Sequence, residues 1–211
     1  AQRAFDTSSR VNARARLRTG LTLARALSLL EESDRTTAIL AELQEVSANS
    51  TDSALRKRLA LLQIKNVLLL DDPSTAREMI EPILEAYRTG DEFDNLKTTT
   101  FLLAARIELS NGDQRAALEF ADTAVAVSSR AENSLRHAES LTVRARTKFL
   151  AADPRGALSD ARAAIEKVEA MRGDIQQLEL RASYQATVQS AYEMVIDSRL
   201  LDGENTTALE A

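Results

Sequence analysis

The stretch "NGDQRAALEFADTAVAV", which begins at Asn111, spells a tight turn and then a helix with alanines at regular steps. Forty residues on, "AADPRGALSDARAAIEKV" follows the same plan. A period of this size marks a repeat architecture, in which one supersecondary unit buries its apolar face only by stacking on copies of itself. An Asp-x-x-x-Ala frame occurs four times, at Asp34/Ala38, Asp72/Ala76, Asp113/Ala117 and Asp153/Ala157, with steps of 38, 41 and 40 residues. The chemistry of the frame is that of a helix start. An aspartate ahead of the first turn accepts from its free N–H groups, and Pro73 and Pro154 stand where a helix tolerates proline best.

Behind each framing alanine, positions four and seven residues on hold Glu42/Glu45, Ile80/Ile83, Ala121/Ala124 and Ala161/Ala164, one helix face in all but the first copy. Twelve residues ahead stand Ala26, Ile64, Ala105 and Ala145, small enough in three copies for two helices to approach closely. The pattern predicts helix pairs over 8–32 with 34–48, 52–70 with 73–89, 92–110 with 113–129, and 132–151 with 154–172. The breaks between them carry turn signals, "NSTD", "TGD", "SNGD" and "RGD". Pro82, inside one second helix, is expected to kink it. After Gly173 a single long helix, 174–201, keeps apolar spacing through Leu178, Ala182, Val188, Tyr192, Val195 and Ile196, and covers the last open face. The expected fold is all-α, a single α-solenoid domain over 1–211.

The small–small frame and the alanine opening each second helix resemble the tetratricopeptide (TPR) family. The usual period there is 34, so about 40 makes each pair longer by one to two turns. The family's large aromatic and glycine in the first helix are missing, except for Phe101 in the third copy. HEAT-type repeats, of 40–47 residues, are the rival. Over 180–197, "LRASYQATVQSAYEMVID" resembles the helix that follows the TPR array in bacterial CHAT proteins, caspase-like peptidases fused behind such repeats. That resemblance implies a loop at Asp202, Gly203, Glu204 and Asn205, and a further helix opening with "TTALEA" at 206–211. It also implies that the chain is the repeat region of a longer protein, controlling a peptidase domain downstream in cis.

Chemistry of the chain's own is not expected. With no cysteine, the His/Cys pair of CHAT peptidases is absent, and so are thiol-built zinc sites. The one histidine, His137, has only Ser134 and Ser140 near it on the same helix, and no base-and-nucleophile arrangement follows. Glu31/Glu32 and Asp71/Asp72 sit at helix ends, where carboxylates serve caps and dipoles. No phosphate loop or metal-spaced cluster is spelled, so no cofactor and no metal is expected. No apolar run reaches the length of a membrane span. The compartment is left open, with the cytoplasm favoured.

What remains is binding. In a TPR-like stack the first helices line the concave side. Eleven residues ahead of each framing alanine stand Leu27, Lys65, Arg106 and Arg146, the last three forming a basic row. Arg58 lies two turns before Lys65, and Leu61 and Leu102, four residues before Lys65 and Arg106, are expected to supply an apolar floor. The partner this predicts is a protein or peptide carrying carboxylates, held by charge-assisted hydrogen bonds. The bland alternative is that these cations pair with local carboxylates at the surface. Net charge is −5, against a non-specific grip on nucleic acid, although residues 1–30 carry six arginines (Arg3, Arg10, Arg14, Arg16, Arg18, Arg25) and only Asp6. The function expected is a protein-interaction scaffold rather than an enzyme. The alternative is the sensing array of a transcriptional or signalling regulator.

Overall fold

A computed structural model describes residues 13–30, 32–48, 50, 52–89, 96–131, 134–171 and 178–209, with the backbone alone for 29, 178–183 and 202–209. Among the described residues there are nine α-helices and no strand. In order they are α1 (Ala13–Leu29), α2 (Ser33–Ala48), α3 (Ser53–Leu69), α4 (Pro73–Thr89), α5 (Lys97–Ser110), α6 (Gln114–Arg130), α7 (Ser134–Leu150), α8 (Pro154–Ala170) and α9 (Leu178–Leu209). The contacts divide them between two compact units, Ala1–Ala86 and Tyr87–Ala211.

The helices come as hairpins closed by one repeated turn. At the end of each first helix the chain reverses through a backbone bond spanning six residues: Glu32 N–H to Leu27, Asp72 to Val67, Asp113 to Glu108 and Asp153 to Lys148. The residue just before each of the last three acidic residues is left-handed, at Asp71 (φ 62), Gly112 (φ 80) and Ala152 (φ 59). The same acidic residues then open the second helices, their carbonyls accepting from Thr36, Ala76, Ala117 and Ala157. Side-chain caps complete three of these starts: Asp72 accepts from the Thr75 N–H (3.1 Å), Asp113 from Ala116 (3.0 Å) and Asp153 from Gly156 (2.8 Å). Asp52 caps α3 in the same way through Leu55 (3.1 Å).

This turn corrects the first frame. Its true members are Glu32 and Thr36, not Asp34 and Ala38, and the steps become 40, 41 and 40 residues. Ala38, Glu42 and Glu45 are exposed, whereas Thr36, Leu40, Leu43 and Ser47 are buried. Threonine fits a position otherwise held by alanine because its hydroxyl donates to the Glu32 carbonyl at 2.9 Å, leaving the methyl to pack. The residue twelve places ahead is therefore Ala24, not Ala26. Ala24, Ile64, Ala105 and Ala145 are all fully buried.

In the first unit α1 packs on α2 and α3, and α2 on α3. Leu17, Leu23, Leu27, Leu43 and Leu59 form the core between them. α4 runs unbroken through Pro82, which lies exposed, so the missing N–H costs one bond without ending the helix. In the second unit α5 packs on α6, α6 on α7 and α7 on α8, while α5 also touches α7. Ala117, Ala121 and Ala124 on α6, and Ala157, Ala161 and Ala164 on α8, make the close junctions, all at 0% exposure. Tyr87, Phe101 and Phe120 stack in series, 6.2 Å between neighbouring ring centroids.

The last helix differs from expectation at its C-terminal end. It begins at Leu178, residues 174–177 lying outside those described, and it continues through Asp202–Asn205 to Leu209. The expected loop there is absent: a single helical glycine, Gly203, costs about 1 kcal/mol and does not by itself break a ladder. α9 packs on both α8 and α7, the place a fifth first helix would take. Its inward row is Thr187, Ala191, Met194 and Ser198, and Tyr192, Ile196 and Leu200 face solvent.

Candidate functional site

The corrected register moves the basic row. The residue after each buried Ala24, Ile64, Ala105 and Ala145 lies about 100° further round its helix. Those residues are Arg25, Lys65, Arg106 and Arg146, one cation in every copy, where the sequence placed Leu27 in the first. Leu27 is a core residue at 5% exposure. In the first unit Arg25 is exposed and Lys65 half-buried, and both already take part in local polar interactions. Arg58 is exposed two turns before Lys65. Leu61 and Leu102 are 5% and 4% exposed, so they bind the hairpins together and offer a ligand little apolar surface. The rest of the basic N-terminal helix is largely answered by acids: Arg14 pairs with Asp52 (3.1 Å) and Arg16 with Glu42 (2.7 Å). Arg3 and Arg10 lie outside the described residues.

The second unit holds the more open arrangement. Arg106 on α5 and Arg146 on α7 are both exposed, and among the described residues neither has an ion-pair partner. Beside them Arg136 donates to Glu139 at 2.7 Å across one turn of α7. The Arg106 guanidinium is pulled below its ordinary pKa first by loss of hydration, then by the positive charges of Arg136 and Arg146, with Glu139 opposing them. Arg106 is exposed to solvent, while the protein around it disfavours its charged form. Among the described residues, three guanidiniums and the Glu139 carboxylate act on one another here.

α7, which carries three of these four groups, is anchored from behind. Asp160 of α8, 6% exposed, accepts from Arg144 Nε and Nη2 (2.7 Å each) and from Lys148 Nζ (2.8 Å). Arg144 reaches on to Asp122 of α6 at 3.1 Å. The two oxygens of Asp160 are thus filled by three charged donors, a geometry that fixes the rotation of α7 between its neighbours. The Asp160 hydrogen bonds raise the Arg144 pKa against the effect of burial.

The one histidine is engaged with an enclosed serine. His137 Nδ1 lies 3.2 Å from the Ser128 hydroxyl, so its partner is neither Ser134 nor Ser140. Ser128 is 1% exposed, and its hydroxyl also lies 3.1 Å from the Val125 carbonyl, as a donor. A hydroxyl so enclosed cannot meet a substrate. Burial, then Lys167 and Arg144, push the His137 pKa down. Among the described residues no group of three or more histidines or carboxylates is placed to hold a metal. None of the described helices is long and apolar enough to cross a membrane.

Sequence reasoning named Arg106 and Arg146 and missed Arg25, Arg136 and Glu139. Arg25 was hidden by the false first frame. Arg136 and Glu139 are an ordinary i, i+3 pair whose place beside Arg106 depends on the packing of α5 against α7.

No family model matches the chain, and no curated protein matches it. Solved structures do. The apo form of RapI superposes with a TM-score of 0.71 at 14% identity, over 92% of this chain and 52% of that one; the chain thus spans about half of its length. A Podosopora anserina kinesin light chain-type protein of nearly identical TPR-like repeats gives a TM-score of 0.60 at 16% identity, over 90% of this chain and 96% of that one. At such identities the likeness is one of fold. The chain has an all-α, TPR-like repeat fold of the α-solenoid type.

Proposed function

We propose that this chain is a protein-interaction scaffold whose second unit captures an acidic segment of a partner protein at Arg106 and Arg146. The observation that carries the reading is a pair of exposed guanidiniums at one repeat position of adjacent first helices, with no ion-pair partner among the described residues. Like charges gathered on one face weaken a fold unless something compensates them, and a carboxylate-bearing segment does so through charge-assisted bonds. An enclosed serine, a histidine whose pKa is pushed down by burial and the lack of metal clusters among the described residues all favour binding over catalysis.

The resemblance of 180–197 to the helix behind CHAT-associated arrays supports a further step. On this reading, capture of the partner is conveyed to a caspase-like peptidase downstream of the repeats. α9, packed on α7 and α8, is the element through which strain at the basic site would travel. The expected loop at 202–205 is replaced by helix, so the coupling runs along a continuous rod rather than a hinge.

The test is charge reversal. Arg106→Glu with Arg146→Glu is expected to abolish capture of the partner in a pull-down, while circular dichroism shows the helical fold retained. Undiminished capture by the doubly reversed chain would reduce the pair to surface decoration.

A further inference from the structure

The count of charges at this site says more than that it is basic. Arg136 donates to Glu139 at 2.7 Å, and among the described residues Arg106 and Arg146 have no ion-pair partner. They occupy equivalent positions of α5 and α7, helices in contact with one another. Two arginine side chains on contacting helices are long enough to reach one group, and the charge of Arg146 is felt at Arg106. A single carboxylate supplies one negative charge and two acceptors. A phosphomonoester supplies about −1.5 to −2 at pH 7 and three acceptor oxygens, enough for two planar forks at once. Lysine, a point charge, is absent from this pair; both members are arginine, the residue suited to bidentate phosphate contacts.

We propose that Arg106 and Arg146 together receive a phosphorylated side chain of the partner, so that the partner's phosphorylation switches capture on. The proposal rests on the reading that this face binds a protein segment, and narrows its chemistry from an acidic to a phosphorylated one. A dianion neutralises the two free charges in one contact, whereas an isolated carboxylate leaves one of them exposed to its neighbour.

Phenyl phosphate, phthalate and benzoate serve as probes on the full chain, read by the arginine Nε–Hε signals in proton–nitrogen correlation spectra, with Arg106→Gln and Arg146→Gln assigning the peaks. Both side chains are exposed, so neither variant threatens folding. Phenyl phosphate is expected to shift both signals saturably, to bind better than either carboxylate, and to lose affinity when either arginine is replaced. Its affinity is expected to fall about tenfold between pH 7 and pH 5, because the second phosphate pKa lies near 6 and only the dianion fills the site. Equal shifts from phthalate or benzoate overturn the phosphate inference and leave the acidic-segment reading standing. No shift from any probe, or shifts that persist in both variants, also overturn it. Because charge reversal tests capture of the partner independently of these probes, the two readings fail separately.

Discussion

Replacing Asp160 by alanine probes how the second unit holds its shape. The carboxylate is 6% exposed and fills its oxygens with three cationic donors at 2.7–2.8 Å. Removing one partner from a buried ion pair costs about 3–5 kcal/mol, since the other is left uncompensated. Here the figure is smaller, because the side chains of Arg144 and Lys148 keep 21% and 23% of their exposure and can rehydrate. Arg144 also retains Asp122 at 3.1 Å. We expect a loss of about 2–3 kcal/mol, which for a chain of this size corresponds to a fall of roughly 4–12 °C in the midpoint of the second unit's thermal transition. In a double-mutant cycle, Asp160→Ala with Arg144→Ala should cost clearly less than the sum of the single changes. Because the pair is enclosed, 1 M salt should narrow the difference only slightly. A loss below about 0.5 kcal/mol, the range of exposed pairs, would refute the idea that this network sets the rotation of α7.

Two further outcomes follow from the turns and from His137. Ala152 stands at φ 59 at the position where the neighbouring copy has Gly112, so Ala152→Gly should stabilise the chain by about 0.5–1 kcal/mol, raising its thermal midpoint by about 1–4 °C. His137 has a folded pKa below its unfolded value, so the unfolded chain binds the extra proton first and stability falls as pH drops below about 6.5. His137→Gln should flatten that limb of a stability-against-pH curve while leaving stability at pH 8 little changed.

Much of this fold is written in two residue types. Alanines at 117, 121 and 124, and again at 157, 161 and 164, are legible because a helix built of alanine on one face has little else to gain from that face than close approach. The aspartates ahead of them are legible because an Ncap carboxylate has few other uses at a turn. The first copy misled for the same reason. Asp34 and Ala38 mimic the frame two residues late, while the true core residue, Thr36, looks polar until its hydroxyl is seen turned back to the Glu32 carbonyl. That slip carried Ala26 and Leu27 into places held by Ala24 and Arg25. In α9 the apolar letters are spread round the helix, so periodicity alone did not tell the inward Ala191 and Met194 from the outward Tyr192 and Ile196. The candidate site was half visible: the repeat spacing found Arg106 and Arg146, but nothing local shows that Arg136 and Glu139 join them or that Asp160 anchors the helix beneath.

The account depends on hairpins that meet through one small residue per copy, in the register Thr36, Ala76, Ala117 and Ala157. Leucine placed at each of these alanines, and at Ala38 for comparison, measures that directly by chemical denaturation. Ala76, Ala117 and Ala157 are fully buried, so each added side chain should overpack a junction and cost about 1–3 kcal/mol, whereas exposed Ala38 should stay within about 0.5 kcal/mol of the parent. Leucine tolerated at Ala117 and Ala157, or as damaging at Ala38 as at the other three, would contradict it.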